Sequence, residues 1–100
     1  MSDELFIVVG LSARPGKEDV LREDLARLVA PSRGEAGNLR YDLFEDINAP
    51  GRFVFVEHWE SPEAQRQHHE TGPHIEHFHA HGDANVESRD FIHMLRRVVP

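Results

Sequence analysis

The chain has 100 residues, a formal charge of -7 at neutral pH and 39% apolar content, which suits one domain that buries about two-thirds of its unfolded surface. It has no cysteine, so disulfide and thiolate chemistry are excluded, and Leu5 to Val9, the longest apolar run, is far short of the roughly 20 residues of a membrane helix. The acidic balance disfavours nucleic acid or an anionic membrane as main partner near neutrality, although its eight histidines can reverse that sign at about pH 5.

At the start of the chain, Met-Ser-Asp-Glu lacks the basic segment of a secretory signal, so a cytoplasmic location is expected. Leu5 to Val9 reads as a strand buried on both faces, extended by Gly10 to Ala13. Lys17 to Ala30 carries Leu21, Leu25, Leu28 and Val29 at helical spacing, with Pro31 and Gly34 as its end. Leu39, Tyr41 and Leu43 alternate with Arg40 and Asp42 in a second strand, and Asn48-Ala49-Pro50-Gly51 makes a hairpin connection to a third, Arg52 to Trp59. Ser61-Pro62-Glu63 caps and opens a helix, which Gly72-Pro73 breaks before a second piece from about His74 to His81. Val86 to Val99 is the last strand, ending with Arg96 and Arg97.

The order strand, helix, strand, strand, helix, strand is the split βαβ pattern: an α+β, ferredoxin-like domain over residues 1–100, with a four-stranded antiparallel sheet and its helices on one face. In the third strand Phe53, Phe55, Glu57 and Trp59 point one way and Val54, Val56 and His58 the other. The helices can cover only one of these faces. A second copy of the same sheet is the simplest cover for the other, so a homodimer through the sheet faces is expected.

Six of the eight histidines lie between residues 68 and 81. On a helix from 74 to 81, Ile75, Phe78 and Gly82 form a core stripe, and His74, His77 and His81 lie beside it. His77 and His81, at i and i+4, can share a metal ion, but no third ligand is fixed near them; Glu70 and Glu76 are close only in sequence. No metal site is expected there, and His69, His77 and His81 read as a solvated surface. His68 faces the sheet one turn after Ala64, and His74 stands beside Pro73 over the same cleft. As neutral imidazoles these two can take a proton from a phenol or enol; otherwise they are buried histidines satisfied by backbone carbonyls. Trp59 is either a core residue or a stacking surface for a planar ligand, and Tyr41 either packs or hydrogen-bonds a ligand. Glu57, between Phe55 and Trp59, is either ion-paired with Arg40, Arg96 or Arg97 or a base of raised pKa. No nucleophile elbow, P-loop or dinucleotide fingerprint is present.

The stretch VEHWESPEAQRQH, residues 56–68, followed by GPHIEHF, resembles the signature of the antibiotic biosynthesis monooxygenase family of small dimeric α+β barrels. The matching positions are Glu57, Trp59, Ser61, His68 (or His69), Pro73, His74 and Phe78, and RPGKEDVLREDL, residues 14–25, is similar to the family's strand-loop-helix entry. The resemblance implies cofactor-free monooxygenation of a quinol or polycyclic phenol, haem degradation, or isomerisation of a small sugar-like compound. Gly10 stands where the haem-degrading branch has asparagine, which discounts that branch. It further implies His68 and His74 as catalytic residues and Trp59, Phe78 and Glu57 around a small aromatic or carbonyl substrate, to which Tyr41 is added from its place on the apolar side of its strand. Neither a metal nor another cofactor is required, and dioxygen is the co-substrate. An isomerase using the same histidines, or a non-catalytic dimeric binding module, is the alternative.

Overall fold

Four strands, β1 (Leu5–Ala13), β2 (Asn38–Glu45), β3 (Arg52–Trp59) and β4 (Val86–Leu95), pair antiparallel in the order β2-β3-β1-β4. A computed structural model describes residues 3–100; Met1 and Ser2, half of the acidic opening tetrapeptide, lie outside the described residues. The connectivity is the expected ferredoxin-like α+β fold. In β3 the alternation is complete: Phe53, Phe55, Glu57 and Trp59 are buried, and Val54, Val56 and His58 are half-buried on the other face. The buried set joins Ile7, Leu11 and Tyr41 of the sheet to Leu21, Leu25, Leu28, Ile75 and Phe78 of the helices in one core.

The helix expected over residues 17–30 is two. α1 (Glu18–Ala26) stops early, and α2 (Val29–Arg33) restarts with Pro31 inside its first turn. Proline lacks an N–H and collides with the carbonyl four residues back, so a continuous helix cannot pass Pro31; in a first turn that N–H is not needed. The break shows in Leu28, whose N–H bonds the Leu25 carbonyl three residues back at 3.0 Å. Arg22 of α1 grips Glu45 of β2 with two hydrogen bonds of 2.7 Å, which holds that carboxyl down at about 2. The Gly51 N–H adds a third bond to Glu45, at 3.0 Å, and the positive φ of 91° that the hairpin requires there favours glycine.

α3 (Pro62–Thr71) and α4 (Pro73–His81) fall where expected, with Ser61 as N-cap accepting from the Ala64 N–H at 3.1 Å. β4 is shorter than expected. It follows a 3-10 turn over Asp83–Asn85, carries bulges against β1 and ends at Leu95 rather than Val99. Beyond it, the Arg97 guanidinium stacks on the Phe6 ring at 4.9 Å.

The sheet is not buried on both sides in the single chain. Val8, Val54 and Val56 are only partly covered and Phe44 is 49% exposed. Ile92 and Met94, which pair with Val9 and Ile7, are also exposed, because the helices stop short of the β4 edge. No helix among the described residues is long and apolar enough to cross a membrane. Replacing Ser61 by alanine should cost about 1 kcal/mol of stability in a denaturant titration, with Ser61→Asp recovering most of it; equal stability of all three proteins would contradict the capping role.

Candidate active site

The site is built around a residue that the sequence did not single out. After α2 the chain turns through Glu35, whose N–H bonds the Ser32 carbonyl and whose carbonyl accepts from the Asn38 N–H, both at 3.1 Å. This turn aims the Glu35 carboxylate at the junction of α3 and α4. There Glu35 Oε1 takes a short hydrogen bond from His68 Nδ1 and stands 3.3 Å from His74 Nε2. His74 Nε2 also lies 3.1 Å from the Oγ of the fully buried Ser32. One polar chain therefore runs Ser32, His74, Glu35, His68.

The bond to Glu35 determines the His68 tautomer. A neutral His68 must keep its proton on Nδ1 to donate to the carboxylate, which leaves Nε2 as the acceptor. His68 is 5% exposed, its ring centroid 4.8 Å from that of Trp59 and 5.4 Å from that of Tyr41. Burial among these rings pushes its pKa below the usual histidine value, and the pull of Glu35 does not offset this. At neutral pH the imidazole is uncharged and able to accept a proton.

Among the described residues Glu57 is in no ion pair with an arginine, contrary to the ion pair considered from sequence. Arg40 is drawn to Asp42 at 2.5 Å on the opposite face of β2, and Arg97 covers Phe6. Instead the Trp59 indole N–H donates to Glu57 Oε1 at 2.9 Å. One hydrogen bond does not make up for lost water: burial raises the Glu57 carboxyl to about 7, with the nearby Glu35 charge adding to the effect. Burial also raises Tyr41, with help from Glu57, so it stays a neutral phenol.

Between helices and sheet lies a cleft of about 330 Å³, walled by apolar residues of β1, β3 and β4 and lined by Tyr41, Glu57, His68 and Phe78. Four of the six residues singled out from sequence therefore share it. Trp59 does not: fully buried, it acts through Glu57 and packs on His68 rather than offering a stacking surface. His74 does not reach it either. It stands beyond Glu35 and borders a separate hollow with Asp24, His77 and His81, so the expectation that both histidines share one cleft is corrected. His68 is the buried one of the adjacent pair while the exposed His69 also borders the cleft, and His77 and His81 are exposed as expected, with ring centroids 4.4 Å apart. Glu70 and Glu76 are exposed, and the carboxylate that meets the histidines is Glu35.

Fold and cleft together define a ferredoxin-like α+β protein with a carboxylate-held histidine on an apolar pocket. Residues 5–81 match the family model described as antibiotic biosynthesis monooxygenase. The chain belongs to the antibiotic biosynthesis monooxygenase family. It is 36% identical over 72 residues, 72% of this chain and 75% of the relative, to "Putative monooxygenase YcnE" of Bacillus subtilis (strain 168). Among solved structures it is similar to PA3566 of Pseudomonas aeruginosa, with 34% identity and a TM-score of 0.91 over 99% of this chain and 98% of that one. Another structure, named antibiotic biosynthesis monooxygenase, has 27% identity and a TM-score of 0.87 over 95% and 99% of the two chains.

Glu57 makes stability depend on pH. Its carboxyl titrates at 4.5 when unfolded and at about 7 when folded, so between those values the folded state binds more protons and stability falls as pH rises. Glu57→Gln keeps an acceptor for Trp59 and removes the titration. Its melting temperature relative to the native protein should climb from about pH 5 to about pH 8, by the equivalent of up to about 3 kcal/mol. A difference that stays constant with pH would contradict the buried, raised carboxyl.

Proposed function

We propose that this protein oxygenates an electron-rich hydroquinone or phenol of one or two rings with dioxygen, without a cofactor taking part in the reaction. The observation that carries this reading is the His68 ring on the apolar cleft, with Nδ1 tied to Glu35 and Nε2 left as acceptor. Family membership and the monooxygenase names of relatives support the reaction class. The cleft volume, at the lower end of the ~300–1,000 Å³ of ligand sites, suits a small planar substrate.

His68 Nε2 takes the proton of a ring hydroxyl, and the electron-rich phenolate passes an electron to dioxygen. Recombination at the neighbouring ring carbon forms a C–O bond. The O–O bond then breaks as the ring hydrogen leaves, releasing water and a new carbonyl. A hydroquinone and dioxygen thus give a hydroxyquinone and water. The substrate supplies all four electrons, so no external reductant is needed. Apolar walls keep bulk water from the radical pair, and Glu57, with a carboxyl near 7, can relay the proton that leaves carbon.

A second reading has its own observation: His68 and Glu57 are two titratable groups on one cleft. That pairing suits an isomerase that moves a proton between carbons of a small carbonyl compound. It would exchange substrate hydrogen with solvent deuterium and consume no oxygen.

We propose further that the working form is a homodimer joined through the open sheet faces. The half-covered Val8, Val54 and Val56 and the exposed Phe44 lie where a second sheet would pack.

Oxygen-electrode assays with a panel of one- and two-ring hydroquinones should show uptake that His68→Gln lowers on the order of 10²-fold or more. His74→Gln should lose less, because His74 acts beyond Glu35. Full activity in His68→Gln, or deuterium exchange with no oxygen uptake, would contradict the oxygenase. Light scattering during size-exclusion chromatography should give twice the chain mass of 11.5 kDa; a stable folded species of single-chain mass would contradict the dimer.

A further inference from the structure

The Glu35, His68 and His74 cluster has a geometry that hydrogen bonding alone does not require. Glu35 Oε1, His68 Nδ1 and His74 Nε2 all lie within 4.8 Å of one another, from three separate segments of the chain. Ligands about 2.0–2.1 Å from a zinc ion stand about 3.4 Å apart at the tetrahedral angle, and the Glu35 to His74 separation is 3.3 Å. The Glu35 to His68 hydrogen bond has to give way, the two atoms separating by roughly 1 Å, to reach that value. Two imidazoles and one carboxylate are also the donor set of many mononuclear metal centres.

Three further observations bear on the site. Gly72 sits between the two histidines; a Cβ there would meet the His68 backbone carbonyl at 2.6 Å, so the α3–α4 junction takes glycine, and the same point lies 3.3 Å from His74 Cε1 and 3.4 Å from Glu35 Oε2. Among the described residues no arginine or lysine is paired with Glu35; its ion-pair partners are the two histidines. Access is adequate: the Glu35 and His74 side chains are 23% and 14% exposed, and Ser32 Oγ stands by His74 Nε2 as a neutral oxygen at the rim.

We propose that Glu35 Oε1, His68 Nδ1 and His74 Nε2 form a binding site for one divalent transition-metal ion, completed by water. The site differs from the exposed His77 and His81 pair, which offers two ligands and no carboxylate. Occupation has a consequence for His68. A metal on Nδ1 forces the ring proton to Nε2, the atom that accepts a substrate proton in the oxygenase reading. On that reading, which this consequence assumes, the ion does not assist the reaction but closes it, and the apo protein is the working form.

The site can be tested without a substrate, so the result is independent of the oxygenase reading. Zn²⁺ should be titrated by calorimetry into chelator-treated native protein, a His77→Gln/His81→Gln double variant, Glu35→Gln and His74→Gln. One strong site per chain is expected in the first two, weakened on the order of 100-fold or more in the last two. X-ray absorption of the native Zn²⁺ complex should show two imidazoles and oxygen ligands, which covers the case of a variant that fails to fold. Absence of a strong site in the native protein, its loss in the His77→Gln/His81→Gln protein, or its survival in folded Glu35→Gln would overturn the proposal. So would an absorption spectrum lacking two imidazoles.

Discussion

The hydrogen bond between Glu35 and His68 ties the loop after α2 to the last turn of α3, and the polar arrangement of the cleft depends on it. An imidazole buried among Trp59 and Tyr41 with an unsatisfied N–H would cost about 1–3 kcal/mol. Glu35 removes that penalty and in doing so selects the tautomer. The same oxygen approaches His74, and His74 meets Ser32, so the α3 and α4 junction is fixed from the side of α2. Two backbone features make this possible. Pro31 keeps the first helix from running on into α2, which carries the buried Ser32, and Gly72 lets the chain turn from α3 to α4 against the His68 carbonyl.

A second buried acid shares the cleft under opposite conditions. Glu35 is partly exposed and meets two imidazoles; Glu57 is buried and has one indole N–H. Burial therefore dominates at Glu57 and lifts its carboxyl to about 7, while at His68 burial lowers the imidazole. The two shifts run in opposite directions, so the cleft holds an uncharged imidazole together with a carboxyl that can keep a proton near neutrality. Trp59 takes part only from behind, by holding Glu57 in place.

Much of the fold is legible in the residues. Period-two alternation in β3 gives its bounds and both faces, and Ser61-Pro62 and Gly72-Pro73 mark α3 and α4 because capping and proline chemistry are local. The break at Ala26 is harder to read, since Leu21, Leu25, Leu28 and Val29 keep helical spacing across it. The end of β4 is equally obscure, because Val98 and Val99 continue a strand-like composition without a partner. Within the site, His68 is identifiable from its place one turn after Ala64. Glu35 is not: it lies just after α2 in the polar stretch SRGEAG, and its partners are 33 and 39 residues away along the chain. The environment of Glu57 was half visible, since its burial followed from alternation but its partner two residues on did not.

All of the proposed chemistry depends on which nitrogen of His68 carries the proton. Long-range ¹H–¹⁵N correlation spectroscopy of the histidine rings, in metal-free protein at neutral pH, reads this directly. A neutral His68 with its proton on Nδ1 is expected, converting towards the other tautomer in Glu35→Gln. A native His68 that is already protonated on Nε2, or is an imidazolium at neutral pH, would contradict it.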